Sequence, residues 1–535
     1  MASELLKQLS LWYLSLPVCI FVFGYCRWPV TIIVCMLLGA ALYPSCRPLF
    51  FHSPHSLFQT IFFHKRHLQY IAFTACVLLL LSGVGGYGSQ DGDWYKHNAI
   101  LSALIRHDWP AAYTFKIPNN QLAIAKTITL TNVPLIYYMA YYLPAAIVGK
   151  LFGWFWANQA LFLWTFLGLC LSIAWFLLLI QRISVGALCL FAAFSGLDAF
   201  GIAVLRLFFL GESLNIPDWY HIERWAGHWE YPSHVTSLFW APGQGICAWI
   251  VSGLMMQALL SEKPKHVVIF LLSLTAFWSP FVSLGIVPFI LADFLCDHQP
   301  VFKRLRLYFS TANLCGLVIL IMFGLFYLSK FFPSPVPFIP VEAGVIFSSQ
   351  IFPGLFWHEI ALLIVLFCLM EYGIFALLIW RSRLPLMAVE RQIFVVSVGI
   401  LSLLPFFRYG FWNDLVMRTS LPALFFIAVF TARALYAKST SVKIRWLIAI
   451  ALILGSVNVF VEFNRHMKET RLLGKLYTLP TQYVLYDIPH TNITPSFFTQ
   501  YIGSVDSPFF QYLAKPPMPS PPDEILSVTT TKRTP

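Results

Sequence analysis

Charge is what this chain is short of. Only 11% of its 535 residues are Asp, Glu, Lys or Arg, less than half of the roughly 25% usual in a soluble domain. Acids are scarcer still, 23 against 35 basic residues. The 11 cysteines show no paired ligand spacing, and most, such as Cys35, Cys170, Cys189 and Cys315, lie inside apolar runs. That argues against a disulfide or cysteine-metal framework and for small buried hydrophobes. No internal repeat is evident, which removes the direct sign of an inverted-repeat transporter. His221, Glu223, His228, Glu230 and His234 could form a zinc site, but no HExxH or comparable spacing occurs and one is not expected. A second apolar run follows the first almost at once with no small-residue cleavage site between them. The N-terminus therefore reads as a retained span rather than a leader.

What is present is apolar length. Hydrophobic residues make up 59% of the chain, and the mean hydropathy is +0.72. Apolar runs fall near 11–26, 28–45, 70–86, 156–181, 184–210, 237–260, 308–331, 358–380, 393–407, 421–437 and 446–463. The run 267–294 is broken by Trp278-Ser-Pro280 and flanked at both ends by lysines and arginines, which suits a helical hairpin with both ends on one side. The expected fold is an all-α polytopic integral membrane protein of about 11 spanning helices plus that hairpin, with amphipathic helices outside. Four segments organise it: an N-terminal hairpin and cytoplasmic loop over 1–69, a module over 70–182, transmembrane helices over 183–463, and a tail over 464–535.

The net charge of +12 is spread over short inter-helix loops and reads as topology, not as nucleic-acid binding. Arg47, Lys65 and Arg66, Arg182, the clusters around 267–294, Arg381, Arg383 and Arg391, and Lys438, Lys443 and Arg445 mark one face as cytoplasmic. Loops 87–132, 212–236, 332–357 and 408–420 then lie outside, provided that 133–153 does not fully cross. The tail from 464 belongs outside by the same count, against the pull of Arg465, Lys468, Arg471 and Lys475.

Three outer loops hold the residues that could carry chemistry. In Gly88-Ser-Gln-Asp-Gly-Asp-Trp-Tyr-Lys-His-Asn98, two acids sit where an apolar run meets water. Asp93 precedes the amphipathic stretch Trp94–Arg106 and could cap that helix. Asp91 has no such explanation and carries the sharper catalytic expectation, as base or as metal ligand. His97, one helical turn after Asp93, is a third catalytic candidate, while Trp94 and Lys96 are placed with the substrate. The loop Asn215–His234 sets Glu223, His228 and His234 among aromatic rings, a pattern that suits sugar faces as well as an interfacial aromatic belt. In the third loop Arg408 and Arg418 defy the topological bias and match a phosphate. Asp414, four residues before Arg418, offers a plain ion pair on one helix face. Gln244 heads the run 237–260 and could line the same cavity from outside. Within the apolar runs, Asp198 and Arg206 read as a structural pair over two helical turns. Asn492-Ile-Thr494 matches a glycosylation sequon followed by Pro495, and nothing is drawn from it.

This layout resembles the GT-C superfamily of polytopic glycosyltransferases. The matching features are a first large outer loop opening with close-set acids, Asp91 and Asp93, then amphipathic helices, then Pro134-Leu-Ile-Tyr-Tyr138 and Phe152-Gly153. The resemblance covers mainly 70–182. It departs in that Gly92 splits the acids, two extra apolar segments come first, and no soluble C-terminal domain of oligosaccharyltransferase type is apparent. It implies an inverting transferase in a bacterial inner (plasma) membrane with its active site outward. The donor would be a polyprenyl-phosphate-linked sugar and the acceptor a glycan or lipid hydroxyl. The loop acids would act as base or metal ligands, with Mg or Mn the candidate cation and no cofactor otherwise fixed. A transporter or flippase, which would gather polar groups at mid-bilayer, and a polysaccharide polymerase or ligase, which would lean on outer Arg and His, are the competing readings.

Overall fold

Apolar runs set the architecture, because a backbone in hydrocarbon must satisfy its own hydrogen bonds and does so as helix. A computed structural model describes residues 2–46, 64–118, 127–210, 221–260, 265–297, 299–332, 343–345, 356–410, 412–483, 500–517 and 526–527. Most of the loop expected over 332–357, the start of the loop 212–236 and the sequon at Asn492 lie outside the described residues. The helices are, in chain order, α1 (Ala2–Tyr25), α2 (Trp28–Cys46), α3 (Lys65–Leu79), α4 (Asp93–Arg106), α5 (Leu143–Phe152), α6 (Trp154–Ile180) and α7 (Val185–Ala193). There follow α8 (Asp198–Val204), α9 (His234–Trp240), α10 (Pro242–Leu260), α11 (Val268–Trp278), α12 (Pro280–Cys296), α13 (Val301–Tyr308) and α14 (Thr311–Leu328). The last are α15 (Trp357–Cys368), α16 (Ile374–Arg381), α17 (Ala388–Leu403), α18 (Asp414–Thr419), α19 (Leu421–Tyr436) and α20 (Val442–Leu472).

Among the described residues, eight helical stretches are long and apolar enough to cross a membrane, or nine if α7 and α8, bent by 44° at a short break, count as one. The protein is an all-helical polytopic membrane protein. Other expected crossings form shorter helices, because a full crossing takes about 20 apolar residues. Helix α3 has 15 residues and opens on the polar Lys-Arg-His, while α19 has 16. The run expected as a hairpin forms two helices, α11 and α12, divided where Ser279 caps α12 through the Val282 amide and Pro280 takes its first position. At 10 residues, α5 is too short to cross.

Glycines let helices approach closely. Gly316 of α14 lies so near α11 that a Cβ there would come 2.5 Å from the Phe270 Cα. Gly316→Ala is expected to cost about 1–3 kcal/mol, read as a lower melting midpoint of the protein in detergent. An unchanged midpoint would mean the two backbones are not in contact.

The loop 87–132, expected outside, departs from expectation in two ways. Helix α4 does not lie on the membrane: its residues Trp94 and His97 through Leu104 are buried in the protein. Its Leu101 and Leu104 stripe packs inward because neighbouring segments, not lipid, cover it. The rest of the loop forms strands β1 (Ala112–Pro118) and β2 (Thr127–Pro134), paired antiparallel. Two short strands, β3 (Ala343–Val345) and β4 (Phe407–Tyr409), pair antiparallel beside the third loop. A two-residue β5 (Leu526–Ser527) adds to β1 in parallel.

The early tail joins the same end of the bundle. Gly88 donates to the Leu476 carbonyl and Thr478 to that of Gly86. Arg27 donates to the Gln511 and Ala514 carbonyls. The segments after α1, before α4 and after α20 therefore share one side, although α20 is followed by basic residues.

Candidate active site

Two residues apart, Asp91 and Asp93 occupy different environments. Asp91 stands before the helix, its side chain closed to solvent and held by α20: Arg465 Nη1 lies 2.5 Å from Oδ1 and His466 Nε2 lies 3.1 Å from Oδ2. Ser89 supports this contact, its hydroxyl 3.1 Å from His466 Nδ1 and its amide donating to Thr470. Burial alone would raise the Asp91 carboxyl, but His466 and Arg465 outweigh it and hold it below the ordinary carboxylate value.

Asp93 is the first residue of α4. The cap position falls on Gly92, which makes no side-chain cap bond, so Asp93 is not the cap that its position in the sequence suggests. Its side chain remains 31% exposed and lies 3.2 Å from Lys96 Nζ. Burial pulls its carboxyl up, and the charges of Lys96 and Arg418 pull it further down, below its ordinary value. Arg418, from α18, feels Asp414 and Asp93 together. Its Nε lies 3.8 Å from Asp414 Oδ1, the expected ion pair one turn apart, and takes no hydrogen bond. Asp414 goes the other way, raised above its ordinary value chiefly by burial. Neighbouring carboxyls pushed in opposite directions are the arrangement that divides proton-accepting from proton-holding roles.

His97 is committed elsewhere. Its Nδ1 meets the Tyr142 hydroxyl and its Nε2 lies 2.8 Å from the Trp240 carbonyl. Donation to that carbonyl places the proton on Nε2, and burial pushes the imidazole down to about 4. Both nitrogens are used, so His97 fixes α4 rather than reaching a substrate. Trp94 is buried and donates to the Phe239 carbonyl.

Asp414 links this group to a cavity of about 560 Å³ lined also by Tyr137, Tyr138, Lys330, Arg408 and Tyr409. Its apolar wall carries Leu284 and Phe331, both more than half exposed, so the cavity is open on that side. Gln244 meets Tyr138 at its edge. Arg418, Asp414 and Lys96 are thus brought together around Asp93, while Arg408 shares the cavity wall with Asp414 and Gln244 meets Tyr138.

The second loop divides. His234 is buried between Phe191, Phe194, Trp249 and Phe425 with Nδ1 on the Phe191 carbonyl, a core histidine pushed down to about 4 by burial. The His228 backbone carbonyl receives Asn413 Nδ2. Glu223 accepts from the Ser233 amide, the Thr236 hydroxyl and Asn458, wholly inside the protein. Within the apolar body, Asp198 accepts from the Ser195 hydroxyl and lies beside Glu371.

A metal on the two loop acids does not fit these residues. Asp91 is spent on Arg465 and His466, and Asp93 faces two cations, so they offer no common set of free oxygens. Among functional groups, the sequence reading missed Glu462, Arg465, His466 and Lys330. The signal was there for three of them: Glu462, at the end of the last apolar run, is followed at helical spacing by Arg465 and His466, of which only Arg465 enters the topology count.

Fold and site together define a multi-pass membrane protein with a charged cavity at one end of its bundle. No family model matches the chain, and no curated protein does. Among solved structures it is similar to the cryo-EM structure of the arabinofuranosyltransferase AftD from Mycobacteria, at 14% identity and a TM-score of 0.38. The match covers 78% of this chain and 27% of that one. A likeness this loose fixes neither fold nor chemistry, which rest on the residues above.

Proposed function

We propose that the protein is a membrane glycosyltransferase that moves a sugar from a polyprenyl-phosphate donor to an acceptor hydroxyl on the outer face. The observation that carries this reading is an accessible carboxylate, Asp93, beside Arg418, whose partner Asp414 lines a cavity bearing Arg408 and Lys330. Asp93 takes the proton of the acceptor O–H as that oxygen attacks the anomeric carbon. The bond from that carbon to the phosphate oxygen breaks, and its electron pair leaves on the phosphate. Attack opposite the leaving group inverts the anomeric centre. Arg418, whose Nε has no hydrogen-bond partner, Arg408 and Lys330 stabilise the charge that develops on the phosphate, which is worth most in a site shielded from water. Tyr137 and Tyr138 offer ring faces for the sugar. Asp91 and His97 position the loop and take no part in the chemistry.

The test is mass-spectrometric detection of a sugar transferred from a polyprenyl-phosphate-linked donor by the purified protein. Lys330→Gln combined with Arg408→Gln should raise the donor KM about tenfold or more, the loss of one or two charge-assisted hydrogen bonds. Absence of transfer with any such donor would overturn the reading. A transporter draws support from the buried Asp198–Glu371 contact beside the α7–α8 break. It predicts donor movement across vesicles with no new glycosidic bond.

A further inference from the structure

Between the second loop and α20 lies a group of side chains that the transfer chemistry does not use. His221, Glu223 and Glu230 each offer a ligand atom, all within 4.8 Å of one another. His221 Nε2 lies 3.3 Å from Glu230 Oε1. That is a long hydrogen bond between charged groups and near the spacing of about 3.4 Å that a tetrahedral ion with bonds of about 2.1 Å sets between its ligands. The 4.8 Å spread of the whole group is wider, so binding draws the carboxylates in.

The remaining atoms of these residues are already held. His221 Nδ1 lies 2.9 Å from Glu462 Oε1, the carboxylate-to-imidazole contact that turns the opposite nitrogen outward as a ligand. Glu462 is fixed in turn by Arg465, 2.5 Å from its other oxygen. Glu230 Oε2 lies 3.5 Å from Arg224 Nε, leaving Oε1 towards the histidine. All three donors to Glu223 reach Oε1. Its Oε2 is buried and has no hydrogen-bond partner, although Glu223 as a whole has no exposed surface. A buried carboxylate oxygen left without a partner is costly unless something occupies the space beside it.

We propose that His221 Nε2, Glu223 Oε2 and Glu230 Oε1 bind one divalent transition-metal cation of the Zn2+ or Mn2+ class, with Glu462 as the outer-shell partner that orients the histidine. One imidazole and two carboxylates suit such ions better than Ca2+, which takes six or more oxygens. The metal ties the loop bearing His221 and Glu230 to α20, which also holds Asp91. The inference stands on its own geometry and survives if the protein moves no sugar.

The purified full-length chain in detergent is stripped with EDTA, loaded with Zn2+ or Mn2+, desalted and analysed by inductively coupled plasma mass spectrometry. About one ion per chain is expected. His221→Ala and Glu223→Gln should each lower the load at least tenfold, and Glu462→Gln should weaken affinity about 10- to 100-fold. In the Mn2+ form of the unmodified protein, electron spin-echo modulation should report a single coupled imidazole nitrogen, a readout that does not depend on any variant folding. Less than a tenth of an ion per folded chain, an unchanged load in either ligand variant, or a Mn2+ echo without nitrogen would overturn the proposal.

Discussion

Asp93→Asn is expected to lower sugar transfer by about a hundredfold to ten-thousandfold, the usual range for removing a general base, while the protein stays folded. The side chain is about a third exposed and makes one ion pair, with Lys96 at 3.2 Å. A partly exposed pair of this kind contributes at most about 1 kcal/mol, so the melting midpoint should barely move. The effect should fall on kcat, because the proton is transferred as the acceptor attacks, while donor KM follows the cationic groups of the cavity. Single-turnover transfer measured alongside the midpoint separates the two. Transfer at the unmodified rate by Asp93→Asn would remove Asp93 from the mechanism.

Asp91→Ala should do the opposite. Its carboxylate is closed to solvent and meets Arg465 and His466. Deleting one partner of a buried pair typically costs about 3–5 kcal/mol, since the other charge is left without compensation. We expect a large fall in the midpoint, with turnover per folded molecule within about tenfold of the original, well under the loss from a missing base. Acid should reproduce the loss. Because the folded carboxyl lies below its ordinary value of 3.8, its stabilisation is complete above that value and disappears as pH falls through the lower folded one. Asp91→Ala should therefore lose less of its midpoint across that acid range than the unmodified protein, although Asp93 still titrates there. An inactive Asp91→Ala with an unchanged midpoint would reassign Asp91 to the chemistry.

These two expectations reverse the weighting that the sequence alone suggests. Read in line, Asp93 looks like a helix cap and Asp91 like the acid without an explanation. In three dimensions Asp93 is the first helical residue rather than the cap, and Asp91 turns towards α20. The partner that explains Asp91 lies 374 residues away, a separation at which no local pattern can report contact.

What the sequence determined by itself is what depends on near neighbours and on solvent. Apolar length gave most of the spanning helices, Ser279-Pro280 gave the division of the run 267–294, and the four-residue spacing of Asp414 and Arg418 gave their ion pair. Helical spacing gave α4 almost to the residue. The tertiary structure alone decided which polar groups are closed off and which are reachable. It buried α4 beneath its neighbours, made a core residue of His234, and paired β1 with β2. It also brought Arg465 and His466 onto Asp91 of the loop 87–132, with Glu462 beside them, on the side from which the charge of Arg465 seemed excluded. Burial and long-range pairing depend on what covers a group. A chain so poor in charge resolves nearly every buried carboxylate through a partner that only the packed bundle supplies.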